Sequence, residues 1–172
     1  MRLLFKLDSK DYSETKTIRI RNSSRAIIIN NKKIAMVYSS KYDYYKFPGG
    51  GIEKNESQIE ALIRETEEET GLMIINETIK EYGYVHRIQR STANKDETFI
   101  QDNYYYLCNV KENKGKQKLD DYESNEGFIL KYVSPQEAIK ANRQNQSQEV
   151  AKLMIEREAK VLELLISEGY FS

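Results

Sequence analysis

The chain has 172 residues, with 27 basic and 27 acidic side chains, so its formal net charge is zero and no global basic field points to polymeric nucleic acid. Its one cysteine, Cys108, excludes an internal disulfide framework, and no apolar run approaches the ~20 residues of a membrane span. The opening "MRLLFKLDSKDY" is charged too early for a secretory leader, so the expectation is a cytoplasmic protein of one domain over residues 1–172, without a membrane partner.

Residues 1–22 are expected to precede the core as an N-terminal extension. Within them Thr15–Ile20, "TKTIRI", alternates polar and apolar as a half-buried strand does. "RAIIIN" and "KIAMVYS" are apolar runs joined by Asn30-Asn31-Lys32, which is turn chemistry. "YDYYKF" then runs into the break Pro48-Gly49-Gly50-Gly51. A helix follows. Ser57 and Glu60 make a capping box, Ile59, Leu62, Ile63 and Thr66 form an inward face, and Gly71 is the C-cap. "YGYVHRIQR" and "TFIQDNYYYLCNV" read as two longer strands, and Lys111–Glu126 as a polar loop before a last strand, "GFILKYV". Ser134-Pro135 starts a short helix, and Asn142 to Gln146 is a polar break. A long helix over residues 147–172 carries Val150, Leu153, Met154, Val161, Leu164 and Leu165 on one face. That helix either completes the monomer's core or forms the interface of a homodimer. Mixed strands around one central helix, closed by helices, read as α/β or α+β with layered packing.

The informative stretch is "FPGGGIEKNESQIEALIRETEEETGL", Phe47 to Leu72. Residues three and four apart share a helix face, so the carboxylates of Glu65, Glu68 and Glu69 converge. Left alone they repel, raise one another's pKa and weaken the helix. A hard divalent cation such as Mg²⁺, or Mn²⁺, removes that cost, and such ions bind through carboxylates together with substrate phosphates. The glycines before the helix permit a sharp turn and let a backbone carbonyl approach a metal. The ordinary alternative is a solvated acidic face. The wider spacing weighs against it: Gly50, Glu56, Arg64-Glu65, Glu68-Glu69 and Gly71 stand at fixed intervals. At roughly 7% per residue type, such a match arises by chance on the order of once in 10⁸ starting positions.

That pattern resembles the Nudix hydrolase box almost letter for letter, with Thr66 where an aliphatic residue is usual. The resemblance implies an αβα sandwich with a mixed sheet and a long C-terminal helix. It also implies a Mg²⁺-dependent pyrophosphohydrolase that directs water onto a phosphorus of a nucleoside triphosphate or of another nucleoside diphosphate linked to X. By the same resemblance Glu65, Glu68 and Glu69 hold the metal, the Gly50 carbonyl lies near it, and Glu56 and Arg64 brace the loop on the helix. A fourth metal ligand or general base is expected from the loop before the last strand, where Glu126 is favoured and Glu123 is the rival, with Glu65 the fallback as base. Tyr45 and Lys46, just before the glycines, either touch substrate or finish a strand. Within the family, Arg87 stands where a proline marks ADP-ribose enzymes, and Ile88, Gln89 and Arg90 where a tyrosine marks dinucleoside polyphosphate enzymes, which leaves triphosphates by subtraction. The other classes are a nucleotide-binding Nudix sensor without turnover and a partner-binding domain with an acidic helix. His86, Cys108 and Tyr104–Tyr106 read as packing or surface residues, with one of the tyrosines a candidate to stack on a base.

Overall fold

A computed structural model describes residues 1–172. The strands are β1 (Leu3–Asp8), β2 (Thr17–Ile20), β3 (Ser23–Ile27), β4 (Ile29–Asn30), β5 (Lys33–Ser39), β6 (Tyr44–Lys46), β7 (Gly49–Gly51), β8 (Lys80–Arg90), β9 (Glu97–Leu107) and β10 (Phe128–Val133). The helices are α1 (Gln58–Thr70), α2 (Asp121–Glu126), α3 (Pro135–Gln144) and α4 (Lys152–Ser167). None is long and apolar enough to cross a membrane.

The long antiparallel hairpin of β8 and β9 anchors a mixed sheet. β1 lies parallel on the outer edge of β8. The other edge of β9 is shared, with β2 paralleling its first half and β3 its second, and β7 closes antiparallel on β3. A smaller antiparallel sheet is built on β5, with β10 along one edge and β4 and β6 along the other. The result is an α+β fold with a mixed sheet and a C-terminal helix. β1 is no appendage: Leu7 belongs to the largest core cluster, and Leu4 and Phe5 pack against it. The half-buried strand expected at Thr15–Ile20 is corrected. All four residues of β2 are exposed, because it is an edge strand paired only to β9, and α1 packs over β3 and β7 instead.

Helix α1 begins and ends where its sequence says. Ser57 and Glu60 cap reciprocally, and Gly71 takes the left-handed conformation at φ 73°. Leu62 packs with Ala26, Ala35 and Tyr106 between the sheets. Three boundaries differ from expectation. Residues 121–126 form α2 rather than loop, capped reciprocally by Asp120 and Glu123 and ended by Gly127. α3 continues through Asn142, whose buried side-chain amide accepts from the Tyr45 backbone N–H and donates to its carbonyl, both at 2.8 Å. α4 starts at Lys152, not Ser147, and its buried side holds Arg157 and Glu158 among Ile155, Ala159, Leu162 and Leu165. Leu153, Met154 and Leu164 are only partly covered.

Candidate active site

Two glycines fix how close β7 lies to its neighbours. Gly49 has φ 132°, and a Cβ there would meet the Ser24 carbonyl oxygen at 2.1 Å, which is backbone and cannot yield. A Cβ on Gly50 would fall 2.3 Å from Glu65 Oε2, so the Glu65 carboxylate rests directly on that glycine. Gly50→Ala therefore displaces the flexible end of Glu65 rather than the fold. It is expected to weaken Mg²⁺ affinity about 10-fold or more with little change in melting temperature, as read by metal titration beside a thermal melt.

Arg64 ties the loop to the helix. Its Nε and Nη2 donate to the two oxygens of Glu56 at 2.7 and 2.9 Å, and Nη2 also reaches the Gly51 carbonyl at 3.2 Å. The bidentate pair holds the Glu56 carboxyl below its ordinary pKa. Arg64 Nη1 donates to Glu65 at 2.7 Å and to Glu68 at 3.2 Å, so one guanidinium spans three acids.

The carboxylates differ in setting. Glu69 is 1% exposed. One of its oxygens accepts from Gly49 N–H at 2.9 Å, and the other pairs with Lys46 Nζ. Burial, with a smaller push from Glu69, raises the Glu65 pKa against the pull of Arg64. Glu123, at the start of α2, completes the group: ligand oxygens of Glu65, Glu69 and Glu123 lie within 4.8 Å of one another. Burial, aided by Glu69, pushes Glu123 up to about 7. Such a donor set, all carboxylate oxygen beside a close-approaching glycine, fits a hard divalent cation.

The structure redistributes several expected roles. Glu126 is turned away from this group. It is buried beneath Tyr44, whose hydroxyl donates to Glu126 Oε2 at 2.6 Å. The reason is helical: once residues 121–126 coil, Glu123 and Glu126 no longer project from an open loop, and only the first faces α1. Glu68 lies outside the close trio and is half-exposed against Arg64. Of the two readings left open for Tyr45, the structure favours the strand: it is buried and its ring sits 4.8 Å from that of Tyr38. Alternation along β6 sends the next side chain, Lys46, to the opposite face, where it meets Glu69 and lies 4.5 Å over the Phe128 ring. Tyr105 faces the core against Phe47, Tyr106 is buried with its hydroxyl on Gln58, and Tyr104 is half-buried beside Tyr84. His86 pairs with Asp102 at 2.7 Å near the surface, away from the carboxylates. The Cys108 thiol is buried, which raises its pKa to about 12 and leaves it inert. The largest surface cleft, about 430 Å³ beside Ile29, Leu107 and Tyr170, holds none of the site carboxylates.

The NUDIX domain family model matches residues 20–154. The chain belongs to the Nudix family. Among solved structures it is similar to a NUDIX hydrolase from Nitrosomonas europaea, at TM-score 0.57 and 20% identity over 83% of this chain and 90% of that one. It is likewise similar to a MutT NUDIX hydrolase from Burkholderia pseudomallei, at TM-score 0.53 and 17% identity over 84% and 98% of the two chains. No curated protein matches it. At these identities the structural likeness speaks for the Nudix fold. The site must speak for the chemistry.

Glu123 stood in the sequence reading only as the rival to Glu126, and the buried pair Arg157–Glu158 escaped it. Glu123 was legible, because Asp120 and Glu123 stand at the same capping-box spacing as Ser57 and Glu60, and Gly127 follows as a C-cap. The pair Arg157–Glu158 carried no signal. Two adjacent charges in a helix read as solvent-facing, and only the packing of α4 against β6 shows them buried.

Proposed function

We propose that this Nudix protein is a divalent-metal-dependent pyrophosphohydrolase, cleaving the phosphoanhydride of a nucleoside triphosphate or of another nucleoside diphosphate linked to X. The observation that carries the reading is the convergence of Glu65, Glu69 and Glu123 at the end of the Gly49–Gly51 strand. Glu65 and Glu69 would hold Mg²⁺, or Mn²⁺, with the Gly50 carbonyl beside them. Glu68 would add a ligand from the solvent side on releasing Arg64. The bound ion would offset the diphosphate's charge and lower the pKa of the attacking water. Lys46, already beside Glu69, is placed to donate to a phosphate oxygen in exchange. Arg64 and Glu56 keep the loop and helix in register. Glu123 takes the proton from water, a task suited to a carboxyl whose pKa stands near the working pH.

The reading is tested by phosphate or pyrophosphate release from a nucleotide panel with and without Mg²⁺, for the wild type beside Glu123→Gln and Glu126→Gln. Glu123→Gln should lower kcat by about 10² or more and flatten the acid limb of the pH–rate profile, while Glu126→Gln keeps that limb. The opposite pattern would return the role to Glu126.

The same carboxyl sets a pH dependence for the metal-free protein. A carboxyl whose pKa is raised on folding adds stability at low pH and loses it as pH climbs through the folded value. Melting temperature in EDTA should therefore fall as pH rises from the ordinary carboxyl value of 4.5 to the Glu123 value of about 7, and level off above it. Glu123→Gln should remove most of that slope, and saturating Mg²⁺ should remove it in the wild type. A slope unchanged by the substitution would assign the titration to another group.

A further inference from the structure

Beside the carboxylate site, one face of the mixed sheet is lined with arginines. Register places Arg25 of β3, Arg87 of β8 and Gln101 and Asn103 of β9 on that face, and α4 lowers Arg157 onto it. Arg19 joins at the far end, paired with Glu97. Facing acids are Glu97 and Glu158, with Glu65 near Arg25, so four guanidiniums meet three carboxylates. Arg157 is satisfied by Glu158 at 2.6 Å and by Asn103 at 2.7 Å, although its Nη2 lacks hydrogen-bond geometry. Glu158 is itself fully engaged, accepting from the Phe47 N–H at 2.6 Å and the Tyr105 hydroxyl at 3.2 Å.

Neither of the other two arginines makes a salt bridge, and each has a buried, unpartnered Nε. Arg25 is 9% exposed, donates only to the Phe47 and Gly49 carbonyls, and has a buried Nε with no partner. Arg87 makes no hydrogen bond or ion pair. It lies 5.1 Å over the Phe99 ring, with its Nε buried and unpartnered. Burial, then Arg157 and Arg25, lower its pKa to about 10. A scaffold that needed only packing here would do better with apolar side chains, since buried unpaired charge is costly. Arg25 also bridges the two regions, lying close enough to Glu65 to lower its pKa. Guanidinium forks suit oxyanions above all other ligands.

We propose that this arginine face seats an oxyanion of the substrate, a phosphate or a carboxylate on the portion remote from the scissile anhydride, held by Arg87 and Arg25. The inference rests on the pyrophosphohydrolase reading only for the word substrate. It narrows X to a group that carries its own anion rather than a neutral base or sugar.

Binding is read first without metal or turnover. In EDTA at constant ionic strength, inorganic phosphate and acetate are titrated against the wild type, Arg87→Met and Arg87→Lys by thermal shift and calorimetry. The wild type should bind one of the two anions at least tenfold more tightly than Arg87→Met does, with Arg87→Lys between. The stronger anion names the group. Without any anion Arg87→Met should melt at or above the wild-type temperature, an outcome that a structural role for Arg87 would reverse. Kinetics follow with diphosphates offered with and without a phosphate monoester on X, such as ADP-ribose and its 1″-phosphate. The bearer of the preferred anion should gain in kcat/KM through KM, and lose the gain in Arg87→Met. Anion binding that is absent, or equal in wild type and Arg87→Met, overturns the proposal. Arginine-dependent anion binding in a protein that hydrolyses nothing in the panel would leave the seat standing and remove the hydrolase reading.

Discussion

Glu69→Gln is expected to lower turnover by at least ~10²-fold while leaving the protein folded. Glu69 is the most buried member of the carboxylate trio and the one that touches both Lys46 and the Gly49 N–H. Glutamine keeps the shape and one acceptor oxygen, which can still take the Gly49 N–H and hold the loop, while the contact to Lys46 is lost. What it removes is the charge that, with Glu65 and Glu123, would draw a divalent ion into place. The measurements are kcat across a Mg²⁺ titration, the metal dissociation constant and a thermal melt. A variant with near-wild-type kcat at saturating Mg²⁺ would show that Glu69 is an anchor for Lys46 and not a metal ligand.

The largest stability loss is expected away from the metal, at Glu158→Ala. Glu158 and Arg157 are 0% and 1% exposed, on a helix face that otherwise presents aliphatic side chains. Removing the carboxylate strands the Arg157 guanidinium and takes the acceptor from the Phe47 N–H and the Tyr105 hydroxyl. Breaking one partner of a buried pair costs about 3–5 kcal/mol, a large share of a domain's stability. Urea denaturation at pH 7 should show that loss. Because Phe47 leads into Pro48 and Gly49, the variant should also lose metal affinity. Replacing Arg157 and Glu158 together by apolar residues of similar volume should recover much of the stability. A Glu158→Ala protein as stable as the wild type would mean that α4 repacks to bring Arg157 to water.

The sequence by itself determined the local elements and the family. Ser57, Glu60 and Gly71 delimit α1 because capping is settled within one turn of chain, and the spacing from Gly50 to Gly71 carries the loop and the helix together. It also placed Glu65, Glu68 and Glu69 on one helix face, since that follows from period alone. The tertiary structure decided the rest. Which acid joins Glu65 and Glu69 depended on how α2 sits against α1, and a shift of three residues exchanged Glu126 for Glu123. Tyr45 and Lys46 are neighbours whose fates were separated by strand alternation, a choice of face that only the packed core makes. The charges of Arg25, Arg87 and Arg157 lie far apart along the chain and read as surface residues. Pairing of β3, β8 and β9, with α4 laid across them, gathers them on one face and buries Arg25 and Arg157, because burial is a property of what covers a side chain and not of the side chain itself.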